Sequence, residues 1–278
     1  MKLSFVKANP TDNMTVFVLD PVPRQLHSNV AQKILDYGNL YAEQVGFIES
    51  PNPTNINAHM RLQMMGGEFC GNATRALAAV LVDRRYPGIE KVNGVWEVLL
   101  EVSGTDLLIP CKVEESEESS YHVSASMPLP LDISEIHIKD NNDEIQAGTL
   151  VRYTGISHII FHSEKTEISK EFIESIRVLL PDLKNDALGI MLYNPSNRFM
   201  TPIVHVPETN SVIYEHGCGS GSAALASVIS MKNRKNMDVE INQPGGKLYV
   251  STNYNNSVLK ESILKGRVQI VAEGQVTV

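Results

Sequence analysis

Two stretches of the chain place a cysteine where it could do chemistry. Residues 69–80 read FCGNATRALAAV and residues 217–228 read GCGSGSAALASV. In each, Cys-Gly and a short polar residue (Asn72 or Ser220) lead into small apolar residues with helical character. The cysteine then stands on the first turn of a helix, among unpaired backbone N–H groups and the positive end of the helix dipole. A thiolate is favoured there, so the thiol is expected to titrate below its usual value of about 8.5, toward neutrality. The spare N–H groups form an anion site that suits a carboxylate. Glycines beside the sulfur let the backbone approach a ligand with no Cβ in the way.

Two such turns facing one cleft would hold one carboxylate between two sulfurs. One thiolate would take a proton from one face of the neighbouring carbon, and the opposite thiol would return a proton to the other face. The result is inversion at the carbon α to a carboxylate. Charge developing on the carboxylate oxygens meets the helix-end donors, so the scheme needs neither an electron-sink cofactor nor a metal.

Other uses of these thiols fit less well. The chain has three cysteines, and Cys111, inside the apolar LLIPCKV, reads as a buried structural thiol. No Cys-x-x-Cys is present for a redox pair. Neither Cys70 nor Cys218 has a second Cys or His at zinc-ligand spacing, His216 being only two residues before Cys218. A Cys-His hydrolase would use one of the two and leave the other unexplained. A lone Cys-Gly at a helix start is more often structural; the matched pair is what favours catalysis.

The elements around these turns repeat. KLSFVKA and MTVFVLD read as strands, SNVAQKILDYGNLYAEQ as a helix, VGFIES and MRLQMM as strands, followed by the Cys70 helix and the hairpin WEVLLEV/DLLIPCKV. The second half reads the same way: GISHIIFHS, the helix SKEFIESIRVLLPD, LGIMLY, FMTPIVHVP, the Cys218 helix and the hairpin in DVEINQPGGKLYVST. Asn13 and His158 lie 145 residues apart, Gly46 and Gly189 143, Cys70 and Cys218 148, and Gly104 and Gly246 142. Nearly constant offsets predict one chain-wide duplication into two similar α/β halves. The acidic, Ser-rich EESEESS (residues 114–120) reads as the linker between them and KDNNDE (residues 139–144) as a second polar loop. The halves are expected at 1–118 and 119–264, with a C-terminal strand at about 265–278 packing back on the first.

With 278 residues, 42% hydrophobic and 20% charged, the chain is long enough for two domains of roughly 100–150 residues each. A formal net charge of −8 leaves no cationic excess for nucleic acid or acidic membrane surfaces. No signal-peptide core and no run of roughly 18 apolar residues is found, and an odd number of cysteines gives no disulfide framework. These features predict a cytoplasmic protein with a small-molecule partner; whether it forms a homodimer is left open.

CGNATRA and CGSGSAA resemble the paired motifs of the cofactor-independent diaminopimelate epimerases and related amino-acid racemases, and the resemblance spans the chain. FVKANPTDNMTVFVLD is similar to that family's first strand with its substrate-binding asparagine, here Asn13. EQVGFIES resembles its Asp-Gln stretch, here Glu43-Gln44. GISHIIF resembles its Asn-Pro-His strand, keeping His158 but replacing Asn and Pro by Ile156 and Ser157. LKGRVQIVAEGQVTV looks like its closing hairpin. The resemblance implies an α+β fold: two pseudo-symmetric halves, each a curved mixed sheet around a central helix, with the active site in the cleft between them. The departures are informative. YEHG replaces an Arg-containing approach to the second cysteine, and LGIMLY lacks a second asparagine, so the donors for a distal carboxylate are missing. EQVGFIES, GGEFCGNAT, CGSG and QPGG together look like the histidine racemases of staphylopine-type metallophore biosynthesis, which convert L-histidine to D-histidine for a nicotianamine-like chelator.

On this likeness Cys70 and Cys218 are the acid/base pair, and Gly71-Asn72 and Gly219-Ser220 supply backbone donors to the substrate carboxylate. Asn13 and Gln44 position polar parts of the substrate, Glu43 accepts from its imidazole or ammonium or is a surface or structural carboxylate, and Glu215 holds the α-ammonium. His158 and His216 line the cleft or serve the structure. Three rivals stand beside histidine: diaminopimelate or another amino acid on the same fold, a phenazine-biosynthesis-type isomerase working through Glu43, and a non-catalytic amino-acid binder. The last two give no reason for a pair of thiols.

Overall fold

The computed structural model describes residues 1–116, 119–139, 145–164, 168–180, 187–206 and 211–278. These form two compact units, Met1–Met127 with Ile263–Val278, and Pro128–Ser262. The fold is α+β, dominated by strands.

The first unit contains β1 (Lys2–Pro10), β2 (Thr15–Val18), α1 (His27–Leu35), β3 (Gln44–Glu49), β4 (Met60–Met64), α2 (Gly71–Asp83), β5 (Glu90–Val92), β6 (Val95–Val102), β7 (Ile109–Glu115) and β8 (Ser120–Ser126). The C-terminal strand Val258–Thr277 pairs antiparallel with β1 through residues 268–277 and with β8 through residues 263–269. Going round, β8, β7, β6, β4, β3, β2 and β1 pair in turn, and the C-terminal strand joins β1 to β8. The sheet is therefore closed, and α2 runs within it. Every residue from Gly71 to Val82 is buried. This is why the helix shows no polar face: alanines, leucines and valines meet strands on all sides. Val6, Phe17, Leu62, Leu100, Val113 and Val268 belong to the same core.

The second unit contains β9 (Asp132–Lys139), β10 (Ile145–Arg152), β11 (Ile156–His162), α3 (Lys170–Leu179), β12 (Ala187–Asn194), β13 (Phe199–Val206), β14 (Ser211–Tyr214), α4 (Gly219–Asn233), β15 (Met237–Gln243) and β16 (Gly246–Asn255), with the start of the C-terminal strand, β17. Its connections follow those of the first unit. The antiparallel pair β1–β2 is matched by β10–β11, and parallel β2–β3 across α1 by β11–β12 across α3. Antiparallel β3–β4 is matched by β12–β13, parallel β4–β6 across α2 by β13–β15 across α4, and the hairpin β6–β7 by β15–β16. Helix α4 is enclosed like α2, buried at Gly219 and at every residue from Gly221 to Val228.

One landmark of the repeat is corrected. Gly46 pairs with Phe17 and Gly189 with His158, so the topological counterpart of His158 is Phe17, not Asn13. Both glycines make room for the ring beside them: a Cβ at Gly189 would lie 2.1 Å from Nδ1 of His158, and one at Gly46 3.2 Å from the Phe17 ring.

Other expectations also shift. The helix read over residues 28–44 stops at Leu35, where Asp36 turns extended (ψ 139°) and Tyr41 takes φ 47°. The expected closing hairpin is one continuous strand, β17. EESEESS lies at the β7–β8 hairpin, where Glu115 pairs with Tyr121; its residues 117–118, including the expected join at 118, lie outside the described residues. Because β8 pairs with β7 and β17, the first unit runs on to Met127. KDNNDE beyond Lys139, and the last two residues of SKEFIESIRVLLPD, also lie outside the described residues. Among the described residues no helix is long and apolar enough to cross a membrane.

The segment entering α2 is pinned to the β6–β7 connection. Ser103 Oγ donates to the Glu68 carbonyl at 2.8 Å and accepts from Met64 N–H at 2.9 Å. Gly104 has φ 77°, and a Cβ there would lie 2.2 Å from the backbone nitrogen of Phe69. Gly104→Ala should therefore destabilise the fold by about 1–3 kcal/mol, from overpacking and the left-handed backbone. Urea denaturation with an unchanged midpoint would contradict this contact.

His158 is wholly buried, stacked edge-on to Tyr153, with neither ring nitrogen hydrogen-bonded among the described residues. Burial pulls its pKa down to about 3, from the ordinary value near 6.5. Below about 6.5 the unfolded chain takes up a proton that the folded chain refuses. The stabilisation is thus complete above that pH and drains away as pH falls toward 3. His158→Phe, matching Phe17, should flatten the fall of stability between pH 7 and 4.5. An equally steep fall in both proteins would place the titrating group elsewhere.

Candidate active site

Cys70 and Cys218 are the N-caps of the two enclosed helices, and the two turns are built alike. Each cysteine is extended, with φ −125° and ψ 106° at Cys70 and φ −107° and ψ 106° at Cys218. Cys70 Sγ accepts the N–H of Ala73, three residues on, at 3.4 Å, and Cys218 Sγ accepts that of Gly221, also at 3.4 Å. The Cys70 carbonyl accepts from the N–H and hydroxyl of Thr74 at 2.9 and 2.7 Å. The Cys218 carbonyl accepts from the N–H and hydroxyl of Ser222 at 3.1 and 2.7 Å. In each turn the sulfur thus occupies one of the helix's four orphan donors.

The surroundings of the two sulfurs differ. Cys70 is half-buried, whereas Cys218 is only 4% exposed. Burial, then the charge and hydrogen bond of Glu215, push the Cys218 thiol well above its ordinary range. The Gly221 N–H and the Ser220 hydroxyl, 3.7 Å from Sγ, oppose that shift and do not overcome it. The expectation of a lowered thiol at both helix starts is therefore corrected at Cys218: lost hydration and a neighbouring carboxylate outweigh the helix end.

Gln243, on β15 in the QPGG motif, was not singled out as a site residue from the sequence. Its Oε1 accepts the Cys218 N–H at 2.7 Å, and its Nε2 donates to Ser222 Oγ at 2.8 Å. Gln243, Ser222 and Cys218 thus close a hydrogen-bonded ring that fixes the second turn. The available signal was a polar residue in register with Val239 and Ile241, on the buried face of an alternating strand, just before a Pro-Gly-Gly turn.

The remaining expected residues fall into local groups. Gly71 and Asn72 follow Cys70 directly: Gly71 packs against Met127, and Asn72 Oδ1 accepts from Arg75 Nη2 at 2.8 Å. Gly219 and Ser220 follow Cys218, and Glu215 stands three residues before it, its N–H donating to the Pro202 carbonyl at 3.0 Å. Asn13, buried, donates from Nδ2 to Glu43 Oε2 at 2.8 Å, so these two form one unit. The loop carrying Asn13 holds Thr11 at φ 59° and Asp12 at φ 61°, backbone strain of a kind that gathers at functional sites. Gln44 opens β3, its N–H donating to the Met14 carbonyl at 3.1 Å, while its buried Oε1 accepts no hydrogen bond among the described residues. His158 lies in the core of β11, and His216 is exposed. Among the described residues no group of three or more His, Cys, Asp and Glu side chains is placed to hold a metal ion.

The chain resembles known proteins along its whole length. The family model for the histidine racemase CntK N-terminal domain matches residues 2–277. A histidine racemase of Fusobacterium nucleatum subsp. nucleatum is 36% identical over 281 aligned residues, covering 99% of this chain and 97% of the relative. A histidine racemase of Staphylococcus aureus is 26% identical, covering 98% and 97%. Among solved structures, a probable proline racemase from Agrobacterium radiobacter K84 superposes with a TM-score of 0.73 at 10% identity, over 99% of this chain and 93% of the other. A phenazine biosynthesis protein of the PhzF family from Bacillus anthracis gives 0.68 at 12% identity, over the whole of both chains. These distant structures share the fold; the full-length sequence matches identify the lineage. The chain belongs to the histidine racemase family.

Proposed function

We propose that the protein racemises histidine through two thiols, Cys70 and Cys218, acting on opposite faces of one Cα without a cofactor. The observation that carries this reading is the pair of cysteine-capped turns, matched in the sulfur's backbone bond and in the two bonds to the cysteine carbonyl, in a chain matching histidine racemases along its length. With the third amide of each helix held by sulfur, the amides of Gly71 and Asn72 and of Gly219 and Ser220 are the first-turn donors that serve the substrate carboxylate. They sit where charge gathers as the Cα proton leaves. One sulfur takes that proton as the other delivers its own to the far face, so the C–H bond that breaks is replaced by one of opposite configuration.

Asn13 and Glu43 act together in this scheme: the amide holds the carboxylate at 2.8 Å, which presents its acceptor to the imidazole or ammonium. Gln44 contributes the neighbouring polar contact, and Glu215 takes the α-ammonium. His158, buried in β11, is proposed as support for the substrate-bearing surface, consistent with its place against Gly189.

A cytoplasmic, reducing setting suits two thiols that must stay unpaired. The likeness of EQVGFIES, GGEFCGNAT and QPGG to staphylopine-type enzymes supports D-histidine being made for a nicotianamine-like metallophore. The rival reading on this fold is an isomerase using Glu43, and the Asn13–Glu43 bond gives it a concrete base.

Incubating the protein with L-histidine in D₂O should yield D-histidine carrying deuterium at Cα, read by NMR and chiral chromatography. Cys70→Ser and Cys218→Ser should each slow inversion by about 10²–10⁴-fold. Full activity in both serine variants, with loss in Glu43→Gln, would overturn the two-thiol reading in favour of its rival.

A further inference from the structure

Arg75 lies wholly buried in α2 with no carboxylate bonded to it among the described residues. Its Nη2 donates to Asn72 Oδ1, while Nε and Nη1 have no hydrogen-bond partner among the described residues. A buried cation left in this way is costly unless a negative charge compensates it. The charges it feels are those of two thiols: Cys70 at the head of its own helix, and Cys111 on β7. Burial lowers the guanidinium only to about 10, so it remains a cation at neutral pH. Burial also pushes Cys111 up to about 12, which keeps that thiol neutral.

The other ionisable groups on the strands packed against α2 are committed elsewhere. Lys7 donates to the Leu40 and Tyr41 carbonyls, Glu101 pairs with Arg61, and Tyr121 donates to Asp83 at the far end of the helix. Glu115 pairs with Arg85 and Lys91, and Lys2, Glu97, Lys112, Glu114 and His122 are exposed. Cys70, at the head of the same helix, is the thiol whose charge acts on Arg75 and is not held neutral as Cys111 is.

The matching positions around Cys218 carry the opposite arrangement. Five residues after each cysteine stand Arg75 and Ala223; three residues before stand Gly67 and Glu215. At these two positions the first turn carries a cation and the second an anion.

We propose that Arg75 is a positioning residue that holds Cys70 as the resting thiolate, while Glu215 holds Cys218 as the resting thiol. The inference rests on the two-thiol reading and deepens it, by naming Cys70 as base and Cys218 as acid in a turnover that starts from resting enzyme. In that turnover the Cys70 thiolate takes the Cα proton and becomes a thiol, and the Cys218 thiol gives its proton to Cα and becomes a thiolate. Proton exchange with water restores the starting charges, with no oxidant or reductant involved.

The test is the pH profile of iodoacetamide alkylation at each cysteine of the folded protein, read by peptide mass spectrometry. Wild-type Cys70 should titrate below the ordinary thiol value of about 8.5, and Cys218 should stay slow at neutral pH. Arg75→Met should slow Cys70 alkylation at neutral pH by about tenfold or more, Arg75→Lys should restore it, and Cys218 should be unaffected. Glu215→Gln should speed Cys218 and leave Cys70 unchanged. A wild-type Cys70 profile at or above the ordinary thiol value overturns the proposal, even if Arg75→Met fails to fold. An Arg75→Met protein with native circular dichroism and an unmoved Cys70 profile overturns it equally. Failure of the two-thiol reading would appear separately, as unimpaired deuterium exchange in both serine variants.

Discussion

The start of a buried helix leaves donors that must find acceptors, and here a sulfur meets one of them twice. Ser, Asp or Asn would cap such a helix more strongly, since a sulfur at 3.4 Å is a weak acceptor. The sequence gives up capping strength at the two places where the helix end is most enclosed. Part of the loss is made up by Thr74 and Ser222, whose hydroxyls return to the cysteine carbonyls at 2.7 Å each. What the arrangement gains is a nucleophilic atom fixed beside backbone donors, the combination that proton abstraction next to a carboxylate requires.

Enclosure is the other half of the physics. Strands surround α2, so the helix needs no polar face and its first turn is fixed from several sides. The same enclosure makes any charge inside it consequential. A guanidinium on a surface helix would be solvated and would say little about its neighbours; Arg75, wholly buried, is coupled to the thiol at its own helix head. Around Cys218 a carboxylate works in the opposite sense. The two turns are built alike, yet Arg75 follows one cysteine and Glu215 precedes the other. A two-base reaction needs that inequality, because one sulfur must begin without its proton and the other with it.

Much of this was legible from residue order alone. The Cys-Gly turns, the glycines at 46 and 189 and the paired hairpins marked the repeat because each answers to a local constraint: a helix start, a ring packed on a strand, a tight connection. The pairing of Asn13 with His158 misled because two chemically suggestive residues were matched by type. The strand register instead sets His158 beside Phe17 in the repeat. SNVAQKILDYGNLYAEQ kept a helical apolar spacing past the point where Asp36 leaves the helix, so its end was hidden. β9 and β10 show no clean alternation in sequence, since Ser134-Glu135 interrupts the isoleucines of β9 and Ala147-Gly148 the apolar positions of β10. Gln243 and Arg75 were invisible as site residues for a different reason: their roles come from partners distant in sequence or from burial on all sides. The hint for Arg75 was a single charge within an otherwise apolar helix.

If two sulfurs serve one stereocentre, then in the empty protein they should be close enough to react with each other. Mild oxidation followed by non-reducing peptide mapping tests this directly. The account predicts a disulfide joining the peptides of Cys70 and Cys218, formed with loss of activity, reversed by a thiol reductant and suppressed by saturating histidine. Oxidation that inactivates the protein without ever linking these two cysteines would contradict it.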